Sequence, residues 1–175
     1  MNRHERMQAM YEEGSVPWDE ADPPPEVMEL VNKLPAGRAL DLGSGFGRAA
    51  IYLGRAGWQV DGVDFVARAV SEAQTRANKA GVGEQVKFHQ SSVTKLAFLN
   101  GPYDFALDVG CAHGLTDQEL KEYHQELKRL LKPGATYLFF AHLNAADTDP
   151  EDQKWLDENI LKAIFADGFS LKKEE

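Results

Sequence analysis

Arg38-Ala39-Leu40-Asp41-Leu42-Gly43-Ser44-Gly45-Phe46-Gly47 is the stretch whose residue types could hold a ligand: a short apolar run ends in a carboxylate and passes into a glycine-rich turn. Glycines at 43, 45 and 47 allow positive φ and let backbone N–H groups approach a ligand that a Cβ would keep away. A helix spanning Gly47 to Ala56 would then present its N-terminus to that ligand. Asp41 says which ligand. A turn built for a pyrophosphate does not place an anion at the end of its strand, so the carboxylate suits a cationic ligand without phosphate. About twenty residues later the segment Trp58-Gln59-Val60-Asp61-Gly62-Val63-Asp64 ends in a second acid, at the distance from which a ribose diol is held. The two acids would bracket a nucleoside that carries positive charge, as S-adenosylmethionine does on its ammonium and sulfonium.

A competing match, Gly45-Phe46-Gly47-Arg48-Ala49-Ala50, fits the dinucleotide pattern G-x-G-x-x-A but sets the turn two residues late. Other polar residues fall at expected strand ends. Strand four, Tyr103–Val109, leads into Gly110-Cys111-Ala112-His113-Gly114, and Asp108 there is a polar group for cofactor or acceptor. His113 has two readings: an acceptor-binding or general-base histidine, its ordinary pKa near 6.5 suiting proton transfer, or a loop histidine bonded to backbone. His142, just past strand five, is a weaker candidate for the same region, and Cys111 reads as a small filler.

These strands and turns resemble the class I S-adenosylmethionine-dependent methyltransferases, whose first motif is an acid-x-Gly-x-Gly-x-Gly turn and whose second is an acid closing strand two. The resemblance runs from about Arg38 to the C-terminus. It implies that Asp41, Gly43, Ser44, Gly45 and Gly47 surround the methionine part of the cofactor, that Asp64 takes the ribose hydroxyls, and that Phe65 lies beside the adenine. The family's acid after strand three is replaced within Gln90-Ser91-Ser92-Val93. Ser92 would meet the adenine amino group beside Val93, or the serines only make a turn. Tyr11 and the Pro17-Trp18-Asp19 run further resemble the small-molecule branch that includes thiopurine, thiol, halide and tellurite methyltransferases. There Tyr11 and Trp18 would be aromatic walls of a mobile N-terminal cover, with Tyr11 near the chemistry and Trp18 facing the sulfonium; alternatively Trp18 only pins the arm. S-adenosylhomocysteine would be the product and a small molecule the acceptor. A cofactor-binding or interaction domain without catalysis remains the rival.

The elements that must position these residues alternate. Helices are expected at Glu26–Leu34, Gly47–Ala56, Val66–Ala80, from the Thr116-Asp117-Gln118-Glu119 capping box to Leu131, and from Pro150 to Ala166 under an Asp149 cap. Between them lie strands ending at Leu42, Asp64, His89, Val109 and Ala141, the last (Thr136–Ala141) apolar as if buried on both faces, and a further strand begins at Gly168-Phe169-Ser170-Leu171. The pattern predicts an α/β fold, a doubly wound, mostly parallel sheet of Rossmann-like type; set beside the family it resembles, it lacks the last antiparallel strand. Residues 1–25, with scattered aromatics and closing in Pro23-Pro24-Pro25, read as a flexible lid segment, and 26–175 as the domain proper.

The 175 residues, 43% hydrophobic and 27% charged, suit one domain. Neither a membrane span nor a secretory signal is visible, and one cysteine permits no internal disulfide and no cysteine-based zinc site. A cytoplasmic protein without metal, monomeric or a weak homodimer, is expected. A net charge of −9, with Glu12, Glu13, Asp19, Glu20 and Asp22 near the expected mouth of the site, disfavours nucleic acid as a partner.

Overall fold

Every strand of the sheet is parallel to its neighbours, in the order β3-β2-β1-β4-β5. The computed structural model describes residues 3–14, 16–144 and 155–172. The strands are β1 Arg38–Leu42, β2 Gln59–Asp64, β3 Val86–Gln90, β4 Tyr103–Val109 and β5 Leu131–Phe140. From β1 the chain builds outward through β2 and β3, then crosses back to lay β4 against the other side of β1. That reversal opens a crevice beyond the carboxyl ends of β1 and β4, where the glycine turn and the 110–114 loop begin.

Helices α2 (Pro25–Lys33), α3 (Arg48–Arg55) and α4 (Ala67–Lys79) join a core with Ala39, Val60, Phe105 and Leu107 on one face of the sheet. Alanine makes this approach close: Ala69, Ala73 and Ala77, one turn apart, are all fully buried along α4. On the opposite face Leu40, Leu42, Val63 and Ala106 meet α5 (Asp117–Leu130) and α6 (Glu158–Phe165). The expected capping box starts α5, with Glu119 N donating to Thr116 Oγ1 at 3.3 Å and Thr116 N to Glu119 Oε2 at 2.8 Å. No helix among the described residues is long and apolar enough to cross a membrane.

Four expectations change. The N-terminal stretch contains a helix, α1 (Arg3–Glu13), because its non-β-branched residues favour helix and Met7 and Tyr11, four apart, share an apolar face on Phe46 and Val66. The last helix begins at Glu158, where the Asp157 carboxylate accepts Asn159 N and Ile160 N at 2.8 and 3.0 Å; the expected Asp149 cap and Pro150 lie outside the described residues. Strand β5 is an edge strand, so its side chains are half-buried or exposed and not covered on both faces. Residues 168–172 form no strand; instead Phe169 packs against Phe165 and His124. No final antiparallel strand is present among the described residues.

Gly54 in α3 tests the helix-on-sheet contact. A Cβ there would lie 2.5 Å from Val86 Cγ2 and 3.3 Å from Val82 Cβ. Gly54→Ala should therefore destabilise the chain by about 1–3 kcal/mol in thermal or urea unfolding. A helix standing away from the sheet would instead gain up to about 1 kcal/mol from alanine's helix propensity.

Candidate active site

A cavity of about 350 Å³ occupies the crevice. Its floor is the β1–α3 turn, where Gly43 and Gly45 have φ of 71° and 53°. Space and conformation both demand glycine at 43: a Cβ would stand 2.4 Å from Cys111 Cβ in the loop after β4. Gly43 N and Ser44 N donate to Val63 O at 2.8 and 3.0 Å, pinning the turn to β2. Asp64 fixes it further, its carboxylate accepting Gly45 N and Val66 N, each at 2.9 Å. One acid thereby joins the turns that follow β1 and β2, and burial holds its pKa above the usual carboxylate range.

Asp41 is 3% exposed, and burial, reinforced by the nearby charge of Asp108, pushes its pKa up to about 7. A backbone bond from Ala50 and the charge of Arg48 oppose the shift, while Asp64 adds to it. The Asp41 Oδ2 atom, buried, has no hydrogen-bond partner in the protein, and neither does Ser44 Oγ. Buried oxygens left in this state are costly unless something else meets them. Both residues line the cavity. A ligand bearing an ammonium group would supply a countercharge to Asp41 and a donor for either oxygen, so these residues fit a cationic amino-acid end.

The roof is the N-terminal segment. Tyr11, 3% exposed, stands edge-on to Phe46 at 5.0 Å and accepts a hydrogen bond from Trp18 Nε1 at 3.0 Å. Burial and the Asp64 charge hold the Tyr11 hydroxyl above its ordinary pKa, which favours its neutral form. Arg76 of α4 secures the segment with two bonds to Asp19, at 2.7 and 3.0 Å, while its guanidinium lies 4.5 Å from the centre of the Phe46 ring. Arg68 donates to Glu12 O at 2.6 Å, and Arg48 pairs with Glu20 at 3.3 Å.

Trp18, Phe65, Ser92, Val93 and His113 also face the cavity. Ser92 Oγ takes the turn-making role, 2.9 Å from Thr94 Oγ1 and accepting Thr94 N at 3.2 Å. Two expected residues lie elsewhere. Asp108 is fully buried on the α5 side of the sheet, where it accepts from Cys111 N at 2.7 Å, Ala112 N at 3.1 Å and Tyr123 OH at 2.7 Å. It shapes the loop after β4 and does not line the cavity. Strand alternation explains this, since Phe105 and Leu107 point to the α3 face and Ala106 and Asp108 to the other. Gly47 is likewise off the cavity wall: a Cβ there would meet Phe88 Cζ at 2.6 Å and Ala73 Cβ at 3.1 Å, so its glycine serves helix packing. Sequence reading missed Phe46 and Arg48, which line the cavity, and Arg76, which holds its roof. For Arg48 a signal existed, its place one residue past the glycine turn.

Comparison with known proteins bears on this cavity. A family model described as a methyltransferase domain matches residues 39–134. The chain is 27% identical over 131 residues to 2-heptyl-1-hydroxyquinolin-4(1H)-one methyltransferase of Mycobacteroides abscessus, covering 74% of this chain and 57% of that protein. It is 29% identical over 128 residues to norajmaline N-methyltransferase of Rauvolfia serpentina, covering 71% and 43%. This chain thus spans about half the length of the curated relatives it matches. A structure solved in a study of the conversion of a disulfide bond into a thioacetal group during echinomycin biosynthesis superposes with a TM-score of 0.84 and 25% identity, covering 98% of this chain and 80% of the other. The family match takes in more than half of the chain, including the glycine turn, Asp41 and Asp64. The chain therefore belongs to the methyltransferase-domain family, as a class I S-adenosylmethionine-dependent member.

Proposed function

We propose that this chain transfers a methyl group from S-adenosylmethionine to a small-molecule nucleophile inside the cavity. The observation that carries this reading is the pair of buried oxygens without protein partners, Asp41 Oδ2 and Ser44 Oγ, on a cavity floor made by a glycine turn. When bound, the cofactor supplies an electrophilic methyl on a sulfonium. Asp41 and Ser44 would hold its ammonium-bearing end. Asp64 retains acceptor capacity beyond its backbone bonds and would accept from a ribose hydroxyl, and Phe65 and Val93 would flank the adenine. Tyr11, Trp18 and Phe46 would cover the site, exclude water and confine the acceptor to the line of attack.

His113, at the end of the cavity formed after β4 and β5, would contact the acceptor. An anionic or soft nucleophile such as a thiolate, halide or phenolate needs alignment more than it needs a base, because its charge and that of the sulfonium disperse together. The likeness to the protein studied in disulfide-to-thioacetal conversion favours a sulfur nucleophile among these. Residues 1–25 act in this reading as a lid over the domain at 26–175.

Calorimetric titration with S-adenosylhomocysteine tests the cofactor half. The ammonium group of this ligand prefers Asp41 ionised, so below a pKa of about 7 binding must first expel the proton. Affinity should fall about tenfold per pH unit below pH 7, with a proton released at pH 6 that is visible as a buffer-dependent heat. Asp41→Asn should weaken binding and flatten this profile. Affinity independent of pH between 5.5 and 8 would falsify the assignment. The lid has its own test: Arg76→Ala should lower cofactor affinity about three- to tenfold and speed proteolysis within residues 14–20, as removal of a charge-assisted pair and a cation–π contact implies. Unchanged proteolysis would mean that Arg76 does not hold the segment.

A further inference from the structure

Trp155 is 45% exposed, yet it is tightly tethered. Asn144 Nδ2 donates to Trp155 O at 2.7 Å and Trp155 N donates back to Asn144 Oδ1 at 3.0 Å, so one side-chain amide imitates a paired strand. The backbone continues the arrangement, with Asn144 N bonded to Leu156 O at 2.9 Å and a parallel bridge between Leu143 and Leu156. Leu156 itself, 6% exposed, anchors this short run in the core under α5.

The clamp sets the indole against two imidazoles. His113 meets it edge-on at 5.3 Å, His142 lies tilted at 4.8 Å, and the two histidine rings are 5.5 Å apart. Both histidines line the acceptor end of the cavity, where Phe140, also 45% exposed, adds another ring. Fastening a half-exposed tryptophan here is unnecessary for the core, which closes beneath it through Leu156. Trp155 does not itself line the cavity; it stands behind the two histidines that do.

We propose that Trp155, positioned by Asn144, backs His113 and His142 to form an aromatic wall that selects methyl acceptors whose nucleophilic atom is carried on a planar ring. This rests on the methyl-transfer reading above and goes beyond it by naming the acceptor's shape. Flat π-faces gain offset or edge-to-face contact with such a wall, and a saturated ring of equal size does not.

Phenol and cyclohexanol, both uncharged at neutral pH and matched in ring size but not in planarity, serve as probes for the chain loaded with S-adenosylhomocysteine, titrated by NMR. The wild type should bind phenol about two- to tenfold more tightly than cyclohexanol. Trp155→Ala should bring that ratio toward one, Trp155→Phe should keep most of it, and Asn144→Ala should reduce it. Affinity for S-adenosylhomocysteine should stay unchanged in all three variants, which shows that the fold and the cofactor half survive. An equal ratio in wild type and Trp155→Ala, or no binding of either probe to the loaded wild type, overturns the aromatic wall alone. Failure of S-adenosylhomocysteine to bind the wild type contradicts the methyl-transfer reading, and the wall with it.

Discussion

Three carboxylates are buried at the carboxyl ends of neighbouring parallel strands, Asp41 on β1, Asp64 on β2 and Asp108 on β4, and the site follows from how each is accommodated. Burying an anion is tolerable only where donors or a countercharge meet it. Asp64 is met by backbone N–H groups from two turns, and Asp108 by two N–H groups and the Tyr123 hydroxyl, although burial still raises its pKa to about 6. Both acids are therefore met by the protein itself and shape the turns around the crevice. Asp41 lies between them with one oxygen unmet, and its neighbours' charges make its ionisation harder still. Asp41 is thus the least compensated of the three, and in the methyl-transfer reading a cationic group of the ligand would meet it.

The N-terminal cover answers the same constraint from above. A closed roof lowers the local dielectric and strengthens the attraction between Asp41 and a cationic ligand, but it also excludes the water that would otherwise solvate the acid. The roof is held mainly by arginines of α3 and α4 reaching to Asp19, Glu20 and Glu12, together with the Tyr11 and Phe46 rings. Such contacts are individually weak and salt-sensitive at a surface, which agrees with the proposed role of this segment as a lid.

Much of this was legible in the sequence because the signals were local. The Asp41-to-Gly47 turn, the acid closing β2 and the Thr116 capping box each depend on residues a few positions apart. The side of the sheet that Asp108 faces was only half legible: Tyr103, Phe105, Leu107 and Val109 alternate with Asp104, Ala106 and Asp108, which separates the two faces, but both faces are packed, so the alternation does not say which of them borders the crevice. Gly47 illustrates a second limit, since a glycine required by Phe88 and Ala73 looks the same in sequence as one required by a ligand. Trp155 illustrates a third. Its place beside His113 and His142 depends on Asn144 pairing with a segment eleven residues away, and no local pattern announces that bond.

Whether Asp41 receives the ammonium of the cofactor, as proposed, can be decided by a double-mutant cycle across the binding site. Affinities of wild type and Asp41→Asn would be compared for S-adenosylhomocysteine and for its analogue lacking the α-amino group. If Asp41 does so, loss of the amino group should cost the wild type about ten- to hundredfold, the worth of a charge-assisted hydrogen bond, and cost Asp41→Asn little. An equal cost in both proteins would show that the amino group is held elsewhere and that the orphaned carboxylate has another purpose.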